Sequence, residues 1–153
     1  PRGNLLEMSP TPAPYEHEIR VTWGDCDPAE IVYTARIPWF ALDAINGWWE
    51  HHLGPGGWYH MELDVGVGTP FVSMRLDFRA PITPRHRLRC KVWPNRLGET
   101  SLGFHVDGYQ DGKLCFEGDF VSVFIRVGKF SKAPPPEDIR ALVAAHLIPA
   151  SGA

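Results

Sequence analysis

The sequence predicts an α+β domain, in which one strand and one long apolar helix precede four antiparallel strands and a short terminal helix. Three observations carry this expectation. Apolar residues recur at three- and four-residue spacing from Ala35 to about Leu53, they alternate with polar ones in several later segments, and Asp111-Gly112 marks a tight hairpin between two of those segments. At 153 residues, 44% of them hydrophobic, the chain can bury one core and is too short for two ordinary domains. A single domain over 15–148 follows, with 1–14, which holds four prolines, as a flexible arm and Pro149 to Ala153 as a loose tail.

Tyr15 to Trp23 alternates, with Ile19, Val21 and Trp23 on one face, and reads as the first strand. Gly-Asp-Cys-Asp-Pro then breaks it. In the long helix Ile37, Phe40, Ala41, Ala44, Ile45, Trp48 and Trp49 form a broad apolar surface, Pro38 sits in the first turn where its missing N–H costs nothing, and Gly54 supplies the stop. Val72, Met74, Leu76 and Phe78 oppose Ser73, Arg75, Asp77 and Arg79, the pattern of a half-buried strand. Leu88, Cys90 and Val92 mark the next strand, and Leu102, Phe104 and Val106 the one after it, joined near Gly98. The hairpin at Asp111-Gly112 leads into a strand over Lys113 to Val127, whose stretch Phe120 to Ile125 is apolar at nearly every position, as expected of a strand covered on both faces. After Pro134-Pro135-Pro136, Glu137 to Leu147 places Ile139, Leu142, Val143 and His146 on one helical side. A single sheet curling round one apolar helix buries these faces most simply. Its uncovered edges and outer face favour a homodimer or homotetramer.

Composition removes several functional classes. A formal net charge of −3 argues against a general nucleic-acid binder, which needs a basic stripe to neutralise phosphates. Cys26, Cys90 and Cys115 are odd in number and lack CxxC spacing, so neither a disulfide framework nor a zinc site is indicated, and a reducing cytoplasm fits. No run of about 18 apolar residues predicts membrane insertion, and the N-terminal stretch has no signal-peptide core. His51-His52 carries no HExxH pattern, and adjacent helical histidines point apart, so no metal site is expected there.

The chemistry concentrates at Asp25-Cys26-Asp27. Three readings are open. The two carboxylates are ordinary turn residues that accept nearby backbone N–H bonds; or a carboxylate ahead of a helix N-terminus faces free N–H groups able to hold an oxyanion; or Cys26 is a nucleophile whose base is one of His51, His52, His60, His86 or His105. No local spacing supports the third.

The segment Val21-Thr-Trp-Gly-Asp-Cys-Asp-Pro-Ala-Glu-Ile-Val-Tyr33 resembles the signature of the bacterial 4-hydroxybenzoyl-CoA thioesterase family, and Gly68-Thr-Pro-Phe-Val-Ser73 resembles that family's segment at the start of its second strand. The resemblance implies the hotdog fold, an antiparallel sheet wrapped around one long central helix, and metal-free hydrolysis of an aryl- or acyl-CoA thioester with no cofactor beyond the coenzyme A of the substrate. It assigns catalysis to Asp27, as nucleophile or general base, and the oxyanion contact to the backbone N–H of Thr34. Asp25 becomes a supporting residue and Cys26 inert. Two positions depart from the family: Thr34 stands where the compared enzyme has tyrosine, and Glu30 where glycine is usual. A short-chain acyl-CoA thioesterase and a non-catalytic acyl-CoA or acyl-carrier binding module are the alternatives.

Trp23, Tyr33, Trp39, Thr69 and Phe71, in or near the two segments, are candidates for holding the acyl group, since aromatics suit a flat benzoyl-type substrate. The CoA phosphates call for local cations. Arg96, Arg126, Lys129 and Lys132 are the candidates, ahead of Arg85, Arg87 and Arg89, which alternate on the wet face of a strand.

Overall fold

The computed structural model describes residues 11–151; residues 1–10 of the expected arm lie outside it, and 11–14 form neither helix nor strand. The elements are β1 (Tyr15–Ile19), α1 (Arg36–His52), α2 (Trp58–His60), β2 (Val67–Gly68), β3 (Phe71–Phe78), β4 (Leu88–Leu97), β5 (Ser101–Gln110), β6 (Lys113–Val123), β7 (Ile125–Arg126) and α3 (Glu137–His146). Five strands form one sheet in the order β1-β4-β5-β6-β3, antiparallel at every junction, and β2 pairs with β7 in a separate ladder. The β5–β6 hairpin turns on Asp111 (φ 48°) and Gly112 (φ 74°), the two left-handed residues that a two-residue hairpin with native twist requires.

α1 packs on β1, β4 and β5. Its Ile37, Phe40, Ala41, Ala44, Ile45, Trp48 and Trp49 are buried against Leu88, Cys90, Val92, Phe104 and Val106. Trp48 meets Trp49 edge-on at 5.0 Å and Phe104 at 5.1 Å, so truncating it to alanine would cost about 3–5 kcal/mol. Gly47 is required where α1 crosses β1, because a Cβ there would strike the His17 ring. α3 closes the same layer with Ile139 and Val143 buried, and Arg140 pins it by donating to Gly98 O at 3.1 Å and Glu99 O at 2.7 Å.

Three local expectations change. β1 ends at Ile19, and Trp23 lies in a 3-10 turn (Trp23–Asp25) with 74% exposure, not on the strand's inner face. β3 does not keep the expected alternation: a register shift between Phe71 and Ser73 breaks it at Val72, and Val72, Met74 and Phe78 are all exposed because β3 is the sheet edge farthest from β1. In β6, Phe120 and Ser122 are buried while Val121 and Val123 are only half-buried, so a single chain covers one face of this strand and not both.

The register separates the molecule into two ends. Leu97, Leu102, Ser122 and Phe71 are aligned across the sheet at one end, and Cys90, Gly108, Phe116 and Phe78 near the other. The 20–34 segment leaves β1 beyond this second group, and Val32 N–H donates to Ile82 O at 2.8 Å just past β3. The length of β3 sets the separation of the ends at about 23 Å, at ~3.3 Å per residue.

Candidate functional site

At the 20–34 end, two carboxylates do different work. Asp25 is buried. Its Oδ2 accepts from Thr22 N–H at 2.8 Å and Thr22 Oγ1 at 3.2 Å, its Oδ1 accepts from Arg36 Nε at 2.9 Å, and its carbonyl accepts from Tyr33 N–H at 2.9 Å. Burial pushes its carboxyl up, but the bonds from Thr22 and Arg36 outweigh that and hold it below the ordinary carboxylate range. Asp25 thus fastens the turn to the start of α1, with both of its carboxylate oxygens engaged.

Asp27 is half-buried and starts a tight loop. Glu30 N–H donates to Asp27 O at 2.9 Å and Asp27 N–H to Ile31 O at 3.0 Å, a type I turn followed by a left-handed residue, with Pro28 pre-set for its position. That left-handed residue is Glu30, at φ 66°. The geometry explains why glycine suits this position, and the chain keeps the turn with glutamate. Asp27 Oδ1 accepts from Ala29 N–H at 2.8 Å, the Asx bond of turn chemistry, while Oδ2 has no hydrogen-bond partner among the described residues. The turn reading and the catalytic one are therefore compatible: one oxygen orients the carboxylate and the other is free.

The Cys26–Val32 bridge and the Tyr33 N–H bond to Asp25 fold the loop back, so Thr34 emerges beside the acidic turn. Ala35 caps α1 without a side-chain bond, and the N–H groups of Thr34 and Ala35 have no acceptor among the described residues. Such orphan amides at a helix start attract an anion. Cys26 Sγ touches only the Thr22 carbonyl, at 3.7 Å, and desolvation with the Asp25 and Asp27 charges pushes its thiol up. That disfavours the thiolate a nucleophile needs. Trp23, Tyr33 and Trp39 stand at 74%, 56% and 63% exposure at this end, open to solvent around the loop.

Thr69 and Phe71 lie at the opposite end. They line an apolar cavity of about 540 Å³ together with Trp58, Glu62, Ile125 and Phe130. Thr69 is buried, and Phe71 packs edge-on against Trp58 at 5.8 Å and Phe120 at 6.2 Å. α2, which carries this wall, is tied to α1 by Asn46 Oδ1 accepting from Trp58 N–H at 3.0 Å. Arg126, Lys129 and Lys132 are exposed beside this cavity, on β7 and the loop that bridges back to it at Ile125–Lys132. Arg96 is exposed on β4, two strands from β6 and next to the Leu97 row at the same end of the sheet. Within one chain the candidates thus fall into two groups, Asp27, Thr34, Trp23, Tyr33 and Trp39 at one end and Thr69, Phe71, Arg126, Lys129 and Lys132 at the other.

Trp58, Glu62 and Phe130 line this cavity and are not among the residues that the sequence singles out. They follow glycine-rich or irregular stretches, where no periodicity marks a wall. No group of three or more metal-ligating side chains and no helix long and apolar enough to cross a membrane occurs among the described residues.

A family model described as Thioesterase-like superfamily matches residues 21–143. A thioesterase-superfamily crystal structure from Jannaschia sp. CCS1 superposes with a TM-score of 0.87 at 54% identity, over 92% of this chain and 99% of that one. A 1,4-dihydroxy-2-naphthoyl-CoA thioesterase from Synechocystis gives a TM-score of 0.75 at 20% identity, over 85% of this chain and 95% of that one. A gentisyl-coenzyme A thioesterase gives 0.71 at 21%, over 85% and 99%. At these identities the last two show a shared fold. No curated protein matches the chain.

Proposed function

We propose that this chain, which belongs to the thioesterase-like superfamily and is a CoA-thioester hydrolase, acts on an aryl-CoA of the 4-hydroxybenzoyl type through Asp27. The observation that carries the reading is the divided carboxylate: Oδ1 held by Ala29 N–H, Oδ2 free, in a loop that returns beside the unpaired Thr34 N–H. A thioester carbonyl seated there has its oxygen on the Thr34 amide and its carbon facing Asp27 Oδ2. Asp27 either adds to that carbon, giving a mixed anhydride that water then opens, or takes a proton from the water that adds. Either way the C–S bond breaks, coenzyme A leaves as thiolate and is protonated, and the free acid forms. One oxyanion donor contributes about 2.7–4 kcal/mol in comparable acyl transfers, and a thiolate leaves without a strong general acid.

The acyl group belongs in the cavity of Phe71, Trp58 and Thr69, whose aromatic walls suit a flat ring and whose Glu62 carboxylate can accept from a ring hydroxyl. Structural relatives named for naphthoyl- and gentisyl-CoA support an aromatic substrate. Since this cavity and Asp27 are at opposite ends of one chain, the reading requires a second copy. A two-fold pairing of exposed β3 edges runs the strands antiparallel, covers Val72, Met74 and Phe78, and sets Asp27 of one copy against the cavity of the other. Arg126, Lys129 and Lys132 then stand outside the cavity, available to the CoA phosphates at the far end of the pantetheine arm.

The experiment is thiol release from a panel of aryl- and alkyl-CoA esters by the wild type and Asp27→Asn. Loss of at least 100-fold in kcat with fold retained is expected. Full activity in Asp27→Asn overturns the mechanism, preference for short straight chains overturns the substrate, and binding without turnover by the wild type favours an acyl-CoA binding module. Cys26→Ala is expected to leave turnover nearly unchanged.

A further inference from the structure

A groove of about 370 Å³ opens beside the acidic turn, and its charged and aromatic lining consists of Arg20, Trp23, Arg85, His86 and Arg87. No carboxylate lines it, in a chain whose net charge is −3. Arg87 is partly engaged, with Nε 3.7 Å from Glu18 Oε1, and His86 Nε2 lies 4.0 Å from Asp111 Oδ2. Arg20 and Arg85 make no ion pair among the described residues. Both guanidinium-bearing residues line the groove with no carboxylate among the described residues paired to either. Trp23 is 74% exposed, an unusual place for the largest apolar side chain, and it is fixed there by the turn that Asp25 clamps through Thr22. Neither the catalytic reading nor the packing of the core uses this combination.

We infer that the groove binds the phosphorylated adenosine end of a nucleotide, with the base stacked on Trp23 and the phosphates on Arg20 and Arg85. An exposed indole offers a face to any purine, and paired guanidinium groups match phosphate oxygens bidentately, so together they recognise a nucleotide better than either recognises a lone base or a lone anion. The groove holds one such unit and the overall charge is negative, which argues against a nucleic-acid strand. The ligand has two possible sources. It is the nucleotide of the CoA thioester itself, which places the phosphates on the Asp27 side and not only at Arg126, Lys129 and Lys132, or it is a free adenine nucleotide acting as an effector. The first source rests on the thioesterase reading and the binding itself does not.

The test is calorimetric titration of the full chain with adenosine 3′,5′-bisphosphate, inorganic pyrophosphate serving as the phosphate-only probe. Arg20→Ala and Arg85→Ala are each expected to weaken nucleotide binding roughly 10-fold, and Arg85→Lys to restore part of it. Trp23→Leu is expected to weaken the nucleotide and not pyrophosphate. Absence of binding at millimolar nucleotide, or affinity indifferent to both arginines, overturns the site; pyrophosphate binding as tightly as nucleotide, whatever stands at position 23, overturns the stacking role. The source is read from kcat/KM on an acyl-CoA and on the same acyl group carried by N-acetylcysteamine. If the groove holds the substrate, Arg85→Ala lowers only the CoA value; if it holds an effector, both values stay and added nucleotide changes wild-type turnover alone. Failure of the thioesterase reading shows instead as no turnover of either ester, with the titration still readable.

Discussion

Arg36 Nε donates to Asp25 Oδ1 at 2.9 Å, joining the first residue of α1 to the acidic turn eleven residues earlier. This bond, with the two from Thr22, makes Asp25 the anchor of the loop that presents Asp27 and Thr34. Asp25→Ala is therefore expected to destabilise the fold by about 1–3 kcal/mol, toward the lower figure because Arg36 is half exposed. The folded pKa of Asp25 is lowered, so its contribution is complete above the ordinary carboxyl value of 3.8 and is lost as pH falls through the folded value. Urea unfolding of the wild type and Asp25→Ala should differ at pH 7 and converge in strong acid; an equal gap at both would show that the charge is not what stabilises.

Glu30 holds φ 66° in a turn whose other residues are ideal for it. A side chain in left-handed backbone costs about 1–2 kcal/mol and the greater entropy of unfolded glycine takes back about 0.5–1 kcal/mol, so Glu30→Gly is expected to stabilise the protein by about 0.5–1 kcal/mol and raise its unfolding midpoint. Chemical denaturation of the two proteins decides this, and a lower midpoint for Glu30→Gly would mean that the glutamate carboxylate stabilises the loop in some other way.

The legible parts of this molecule were those written in periodicity. The three- and four-residue spacing of Ile37 to Trp49 located α1 to within a residue at each end, and Asp111-Gly112 located the hairpin. Alternation continues through Trp23 and so predicts it on one strand face with Ile19 and Val21, whereas the chain turns at Thr22 under a side-chain bond that leaves no periodic trace. Val72, Met74 and Phe78 alternate identically whether their strand is central or at an edge, so their exposure had to come from strand order. The candidate site was legible residue by residue and not as an arrangement. Which end of the sheet each residue occupies depends on register, and the distance between Asp27 and Phe71 is a property of topology.

His105 lies on the outer sheet face with Nδ1 2.8 Å from Asp119 Oδ1 and Nε2 2.7 Å from Asp107 Oδ1. Burial lowers its pKa, but the two carboxylates win and raise it to about 9. Its folded value thus exceeds the unfolded one, so the stabilisation is full below about pH 6.5 and disappears as pH rises through about 9. His105→Gln is expected to cost about 1–3 kcal/mol at pH 6 and much less at pH 10. An imidazole resonance that titrates near 6.5 in the folded protein would contradict the clamp.

The separation of Asp27 from the Phe71 cavity makes a prediction about mixtures. If each working site takes Asp27 from one copy and its cavity from the other, then Asp27→Asn and a cavity-blocking Phe71→Asp are defects on different halves of the same site. In a heterodimer of the two variants, one of the two sites collects both defects and the other collects neither. Random reassembly of equal amounts makes half the dimers mixed, so activity should recover to about a quarter of wild type although each variant alone is inactive. If the site lies within one copy, every site in every mixture carries one defect and no recovery occurs. Met74→Lys, which charges the exposed edge of β3, should abolish both the dimer and the recovery. Thiol release after mixing, with molecular mass followed by light scattering, separates these outcomes: recovery without dimers, or dimers without recovery, would each reject the shared site.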